Sequence, residues 1–554
     1  MSKKSNGSNF LIQGSILAMA SIISRIIGLV YRIPMTAIIG DIGNSYYSTA
    51  YEIYNIMLII SSYSLPLAVS KLVSATVAKK QYTNAYRYLK GAMVFALVSG
   101  TIVALIVFFG ADFLAGTIAK TPRSVLALRI LGPALIVVAV LGVIRGFFQG
   151  MGTMMPSAIS QILEQIVNAI VSIWAAYVLF QYGAKIGAVR GDSEGVGASY
   201  GAAGGTLGTN LGSVFALLFC IFILVVYLQA YKRKMRRERN VRVDSFGFVM
   251  KTIVITIVPV LLSTTIYNIS GTLDMVIYKN IASLQGYSST DIDTWWGVFT
   301  GKYKLLVNVP IAIASAMAAS SVPALTRAYE ERDDEAVHHQ INVAIRFVMV
   351  IAFPCAVGLA ALGKPIILLL FPGQASTASL GGAMLWLGSV AVIFYSLSTL
   401  SNGLLQGIDR LKEPVKNAAL ALVMHILFLV FMMVVFRLNI YAVVLANVFF
   451  ALAMCLLNGL SLKRYSGYKQ EYIRTFVIPL ICSLIMGAVT LAVYYGLYAL
   501  IKKNAICILI AIVMAVAVYF VSLLLMKGLT EEELKKFPKG TTIVTVAKKL
   551  RLLK

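Results

Sequence analysis

Stretches of about 20 predominantly apolar residues recur from one end of this chain to the other. No other feature constrains its fold as strongly. A hydrocarbon core roughly 30 Å thick takes about 20 helical residues to cross. Within it, backbone polar groups must be satisfied inside each segment, so the runs predict membrane-spanning helices. Composition agrees, with 59% of the 554 residues hydrophobic and 13% charged, against roughly 25% charged in a soluble domain. The sequence predicts an all-α polytopic membrane protein of about fourteen spans. They fall near 10–33, 45–75, 84–110, 125–148, 157–180, 200–229, 247–280, 298–326, 338–361, 380–404, 413–436, 439–461, 473–500 and 505–527. The first run follows a short basic start, MSKK. It is too long for the apolar part of a signal peptide and no A-x-A-like site follows, so it is expected to remain as a helix.

A net charge of +26 first suggests a nucleic-acid surface. Its placement argues against one, and no nucleic-acid partner is expected. Lysine and arginine gather in alternate loops, at 79–90, 231–242, 410–416 and 462–469, and in the C-terminal tail. Roughly thirty basic residues fall on one side of the membrane and fewer than ten on the other, which places the rich side in the cytoplasm. Both termini are then cytoplasmic, in a bacterial plasma membrane. The 231–242 cluster could also meet anionic membrane lipid, beside its topogenic role.

The chain repeats. RGFFQGMGTMMP at 145–156 and NGLLQGIDRLKEP at 402–414 share G-x-x-Q-G followed by proline, at an offset of about 257 residues. A weaker echo pairs 65–88 with 317–340. Spans 1–6 and 7–12 therefore read as two parallel copies of one bundle. The expected divisions are 1–243, 244–465, an added pair of spans at 466–527, and a cytoplasmic tail at 528–554. Repeats of this kind belong to transporters with a binding site between the halves. Gly204, Gly208 and Gly212 recur at four-residue spacing, which allows close helix approach. In the tail, Thr530 and Glu533 form a capping box, and 543–553 could lie amphipathically on the membrane.

Catalytic equipment is lacking. No Walker A, H-E-x-x-H or G-x-S-x-G occurs, so an enzyme is not expected, nor a cofactor, nor a metal site. His425 stands alone in span 11 and reads as a packed residue; His338 and His339 begin a helix. The five scattered cysteines read as small core residues. One D-x-D, Asp291 and Asp293, falls in the predicted outer loop between spans 7 and 8 and reads as solvated.

What remains is a set of ionisable residues inside apolar spans. Each costs roughly 2.5–3.5 kcal/mol at mid-membrane and commonly marks a substrate or ion path. Arg25 and Arg32 lie seven residues apart in span 1, on nearly one helix face. Glu52, Lys71, Arg145, Glu164, Asp274, Lys279, Lys302 and Lys304 follow. Arg145, Lys279 and Lys302 sit near span ends, where long side chains snorkel. Arginine at depth suits an anion, since its planar fork grips carboxylate or phosphate and keeps its proton. Equally, Arg25 or Arg32 could form a structural ion pair with Glu52 or Asp274.

These residues resemble a known family. Ser24, Arg25 and Gly28 with Arg32 following, the G-x-x-Q-G-P repeat, SVPALTRAYEERD at the end of span 8 and the L-T-x-E-E-L-x-x-x-P-K-G tail are similar to one branch of the multidrug/oligosaccharidyl-lipid/polysaccharide superfamily. It is the polysaccharide-exporter branch, and within it the MurJ-type lipid II flippases and the stage V sporulation protein B group. The resemblance implies two six-helix lobes around a cationic cavity, with two added helices forming a groove for a prenyl tail. It implies that Arg25, Arg32 and Lys304 meet a lipid pyrophosphate, with Ser24, Glu52, Lys71 and Asp274 as further cavity residues. The family's basic residue in span 2 has no clear match. The implied function is export of a prenyl-pyrophosphate-linked saccharide by alternating access, with sodium, protons or the membrane potential as energy source. A multidrug cation antiporter of the same superfamily and a membrane-embedded glycosyltransferase are the competing readings.

Overall fold

The computed structural model describes residues 16–17, 19–238 and 243–528. The predicted capping box at Thr530 and the amphipathic stretch at 543–553 lie outside them. Among the described residues every regular element is helical, as the apolar runs require. Among the described residues ten helices are long and apolar enough to cross a bilayer, or eleven if the pair Pro372–Gly388 and Ala391–Gly407, bent by 52°, is one broken span. The expected fourteen is thus not reproduced by length and composition alone. The shortfall has identifiable places. The start of span 1 falls partly outside the described residues, and only the shorter helix Met19–Val30 (α1) remains of it. Spans 1 and 2 run on from one another through Arg32–Leu58 (α2), which breaks at Gly40 with φ 74° and ψ 178°, a backbone state open essentially to glycine alone. The helices Phe246–Leu284 (α9) and Lys304–Glu330 (α11) cover spans 7 and 8, and each includes side chains that lie outside the described ones.

The chain forms two compact units, residues 1–301 and 302–554. In the first, Leu65–Ala78 (α3), Tyr82–Ala111 (α4) and Ala134–Gly150 (α6) pack with Ser193–Arg236 (α8) and the start of α9. Their shared core includes Val69, Leu89, Phe147, Phe148, Tyr231 and Val249. Met155–Val189 (α7) and α8 lie in close contact along the predicted glycine stripe. A Cβ on Gly204 would stand 2.3 Å from the Ala175 carbonyl oxygen, and one on Gly208 2.1 Å from Ser172 Oγ. In the second unit the added helices Ile478–Ile501 and Asn504–Leu525 pack on each other and on Asp334–Leu370 (α12) through Cys482, Met486, Tyr519 and Leu523.

The repeat appears as matched local geometry inside each unit. At the end of α6, Met151 N–H donates to Phe147 O (3.0 Å) and Thr153 N–H to Phe148 O (3.0 Å), with Gly152 at φ 81°. At the end of Ala391–Gly407 (α14), Ile408 N–H donates to Leu404 O (3.2 Å) and Arg410 N–H to Leu405 O (2.9 Å), with Asp409 at φ 58°. Every position is offset by the 257 residues read from the sequence. Gly150 packs on Val73 of α3, and Gly407 on Leu325 of α11. The weaker echo behaves likewise: Gln81 N–H donates to Thr76 O (2.9 Å) around Lys80 at φ 59°, and Asp333 N–H to Ala328 O (3.1 Å) around Arg332 at φ 57°. These are helix ends closed by one residue in the left-handed region.

Candidate functional site

In the first unit, α1 lies along α7. Ser21 donates to Gln161 Oε1 at 3.1 Å, and Gly28 faces Gln165. Ser24 shares that helix face by spacing. Its hydroxyl is buried and has no hydrogen-bond partner among the described residues. Arg25 is exposed and makes no ion pair among them. The carboxylate that α7 offers at this level, Glu164, is held by Arg145 Nη2 at 2.8 Å, while Arg145 Nε donates to Ser160 at 2.8 Å. Arg145 is therefore a half-buried paired residue rather than a snorkelling one.

Arg32 sits among tyrosines. Its guanidinium lies over the Tyr51 ring, 5.9 Å from the centroid, a cation–π contact. Tyr51 is fixed by a tilted ring contact with Tyr47, centroids 5.0 Å apart, and by a 2.7 Å bond to Thr209. Tyr47 meets Tyr31 at 3.4 Å, and Asn168 and Ser172 continue the chain to the Gly205 carbonyl. Ring faces and hydroxyls orient this guanidinium without cancelling its charge. The structural pairing of Arg25 or Arg32 with Glu52 or Asp274 is not seen among the described residues. Glu52, half-buried, lies against Gly271 of α9, where a Cβ would come within 2.8 Å of its carboxylate. Asp274, one turn further along α9, is buried. Lys71 is exposed on α3. Lys304 begins α11 in the second unit and is half-buried.

Two expectations are corrected. Lys279 does not snorkel: it is fully buried and pairs with Asp293 at 2.8 Å. Asp293 is accordingly not a solvated loop residue, and the D-x-D does not converge on one point. Asp291 accepts from Ser288 at 2.6 Å at the start of Ser289–Val298 (α10), while Asp293 turns inward. Lys302 is also fully buried, donating to Thr377 at 2.6 Å. A signal was present in the sequence. Asp41, Ser45 and Thr49 recur every fourth residue leading into span 2, a polar stripe that needs a polar partner. His425 is packed as expected, its Nδ1 2.8 Å from the Ala446 carbonyl oxygen. The cysteines are all free, and Cys220, Cys482 and Cys507 are buried.

Comparison with known proteins adds four findings. Residues 11–191 match the polysaccharide biosynthesis protein family. The chain is 26% identical to the lipid II flippase MurJ of Bacillus subtilis (strain 168) over 532 residues, 92% of this chain and 94% of that protein. It is 22% identical to stage V sporulation protein B of the same organism over 536 residues, 96% and 98% of the two chains. Among solved structures, lipid II flippase MurJ in an inward closed conformation superposes with a TM-score of 0.65 at 15% identity, covering 91% of this chain and 97% of that one. The likeness in structure shows a shared fold, helical in every regular element among the described residues.

Proposed function

We propose that this chain, which stands in the flippase group of the multidrug/oligosaccharidyl-lipid/polysaccharide superfamily, moves a prenyl-pyrophosphate-linked saccharide from the inner to the outer leaflet. The observation that carries the reading is the state of Arg32. A permanent cation inside a span is costly unless something compensates it. Here tyrosine faces and hydroxyls surround it, and no carboxylate pairs with it among the described residues. Such a group keeps its positive charge available to an anion that comes and goes. Arg25, exposed two turns earlier, and the unpartnered hydroxyl of Ser24 extend the same polar line. We assign Arg25 and Arg32 to the pyrophosphate, with Glu52, Lys71 and Asp274 as further residues of the path. The pyrophosphate carries the charge that makes unassisted crossing improbable, and fixed cations offset its desolvation. Binding spread over separate cations also permits release. The lipid tail stays in the membrane while the head group crosses. No residue here is asked to break a bond.

The test pairs complementation with membrane abundance. In a strain dependent on this chain, Arg25→Ala and Arg32→Ala should abolish growth at native abundance. Arg32→Lys should retain part of it, because charge survives while the bidentate fork is lost. Loss of abundance, rescued by also replacing Glu52 or Asp274, would favour a structural ion pair instead.

A further inference from the structure

We infer that Lys279 and Asp293 form a charge latch that fastens residues 289–301 onto α2 and is undone and remade during transport. Its purpose rests on the transport reading above; its geometry does not. The Lys279 ammonium shares its three N–H groups among four oxygens: Ser45 Oγ (3.1 Å), Thr49 Oγ1 (2.9 Å), Thr121 Oγ1 (2.6 Å) and Asp293 Oδ1 (2.8 Å). Ser45 donates to the same Asp293 oxygen at 2.8 Å. Four stretches distant in sequence thus meet at one buried charge: α2, the turn before Pro122, α9 and α10. One turn further on, Asn44 Nδ2 donates to the Gly297 carbonyl and to Thr300 Oγ1, both at 2.9 Å, and Thr300 reaches Ser48 at 3.1 Å. Gly297 lies so close to the Asp41 carbonyl oxygen that a Cβ would stand 1.8 Å from it. The face of α2 from 41 to 49 therefore meets 293–301 through polar groups almost throughout.

Two features argue that this seam opens. A permanent brace between helices is made at lower cost from apolar packing, because an ion pair loses hydration that its attraction only partly returns. Hydroxyls, an amide and an ion pair can instead exchange each bond for water when the seam parts, which apolar surfaces cannot do. The fastened segment also ends in a π-helical stretch, Phe299–Tyr303. Such stretches are rare and concentrate at functional sites. Within it the chain passes from the first unit to the second, between Gly301 and Lys302.

The latch can be tested without substrate. The five native cysteines are replaced, Ser45→Cys is introduced, and the full chain is placed in lipid nanodiscs, open to reagent on both faces. Labelling by a membrane-impermeant maleimide is then timed. The thiol introduced at position 45 should label slowly in this parent. Thr49→Val and Thr121→Val each remove one acceptor for Lys279 at nearly constant volume and should speed labelling. Asp293→Asn should speed it further, on the order of tenfold, as a one-decade rise in the open population would give. If Asp293→Asn fails to fold, the two threonine variants carry the test. No labelling of that thiol in any natively folded variant, or rates unchanged by the substitutions, would overturn the latch. Because labelling needs no lipid-linked saccharide, failure of the flippase reading in the same preparation would leave this result standing.

Discussion

Arg32 and Lys279 show two ways in which one chain tolerates a cation among apolar spans. Lys279 is neutralised: Asp293 and three hydroxyls take up its charge and its hydrogen bonds. Arg32 is oriented but left charged, over the Tyr51 ring. The difference predicts different responses to mutation. Lys279→Met strands a buried carboxylate and should destabilise the protein by about 3–5 kcal/mol. Lys71→Met, on an exposed side chain, should stay within about 0.5 kcal/mol. Thermal unfolding of the two variants beside the parent checks both. The sequence exposed the arginines because a charge in an apolar run is conspicuous. It hid the lysine because its partners come from residues 45, 49, 121 and 293, and the side chain's depth is decided only when those segments meet. Asp293 was hidden twice over, since a short polar run between two spans looks solvated whichever way its second carboxylate turns.

At the scale of elements, the repeat was legible because the ends of helices are written in short motifs. Glycine and glutamine at fixed offsets reappear as matched helix caps 257 residues apart. At the left-handed position the two caps carry different residues, Gly152 and Asp409. Gly152→Ala should cost roughly 1–2 kcal/mol, since that backbone state is strained for a residue with a Cβ and nothing crowds the site. Asp409→Gly should instead gain about 0.5–1 kcal/mol. Opposite shifts in unfolding temperature are the expected readout. Gly40→Ala, at the break in α2, should cost about 1–3 kcal/mol. Span boundaries were less legible than caps. A continuous helix through Tyr31 and a glycine break at Gly40 divide spans 1 and 2 differently from the apolar runs, because hydropathy averages over a window while a backbone turn is set by one residue.

For the whole molecule, the asymmetry of basic loops predicts that a cysteine introduced at position 236 is labelled by an impermeant reagent only after the cytoplasmic face is opened. The internal repeat predicts that spans 1–6 superpose on 7–12 with Gln149 matched to Gln406. The central claim, that uncompensated span-1 arginines carry a lipid pyrophosphate across, is tested most directly by head-group translocation in proteoliposomes. A prenyl-pyrophosphate-linked saccharide is loaded in the leaflet that the transporter takes it from, and its arrival in the opposite leaflet is read with an impermeant probe. Wild type and Arg25→Ala/Arg32→Ala are compared at equal incorporation. The account predicts translocation by wild type and only the protein-free background by the double variant. Translocation by the double variant at the wild-type rate would contradict it.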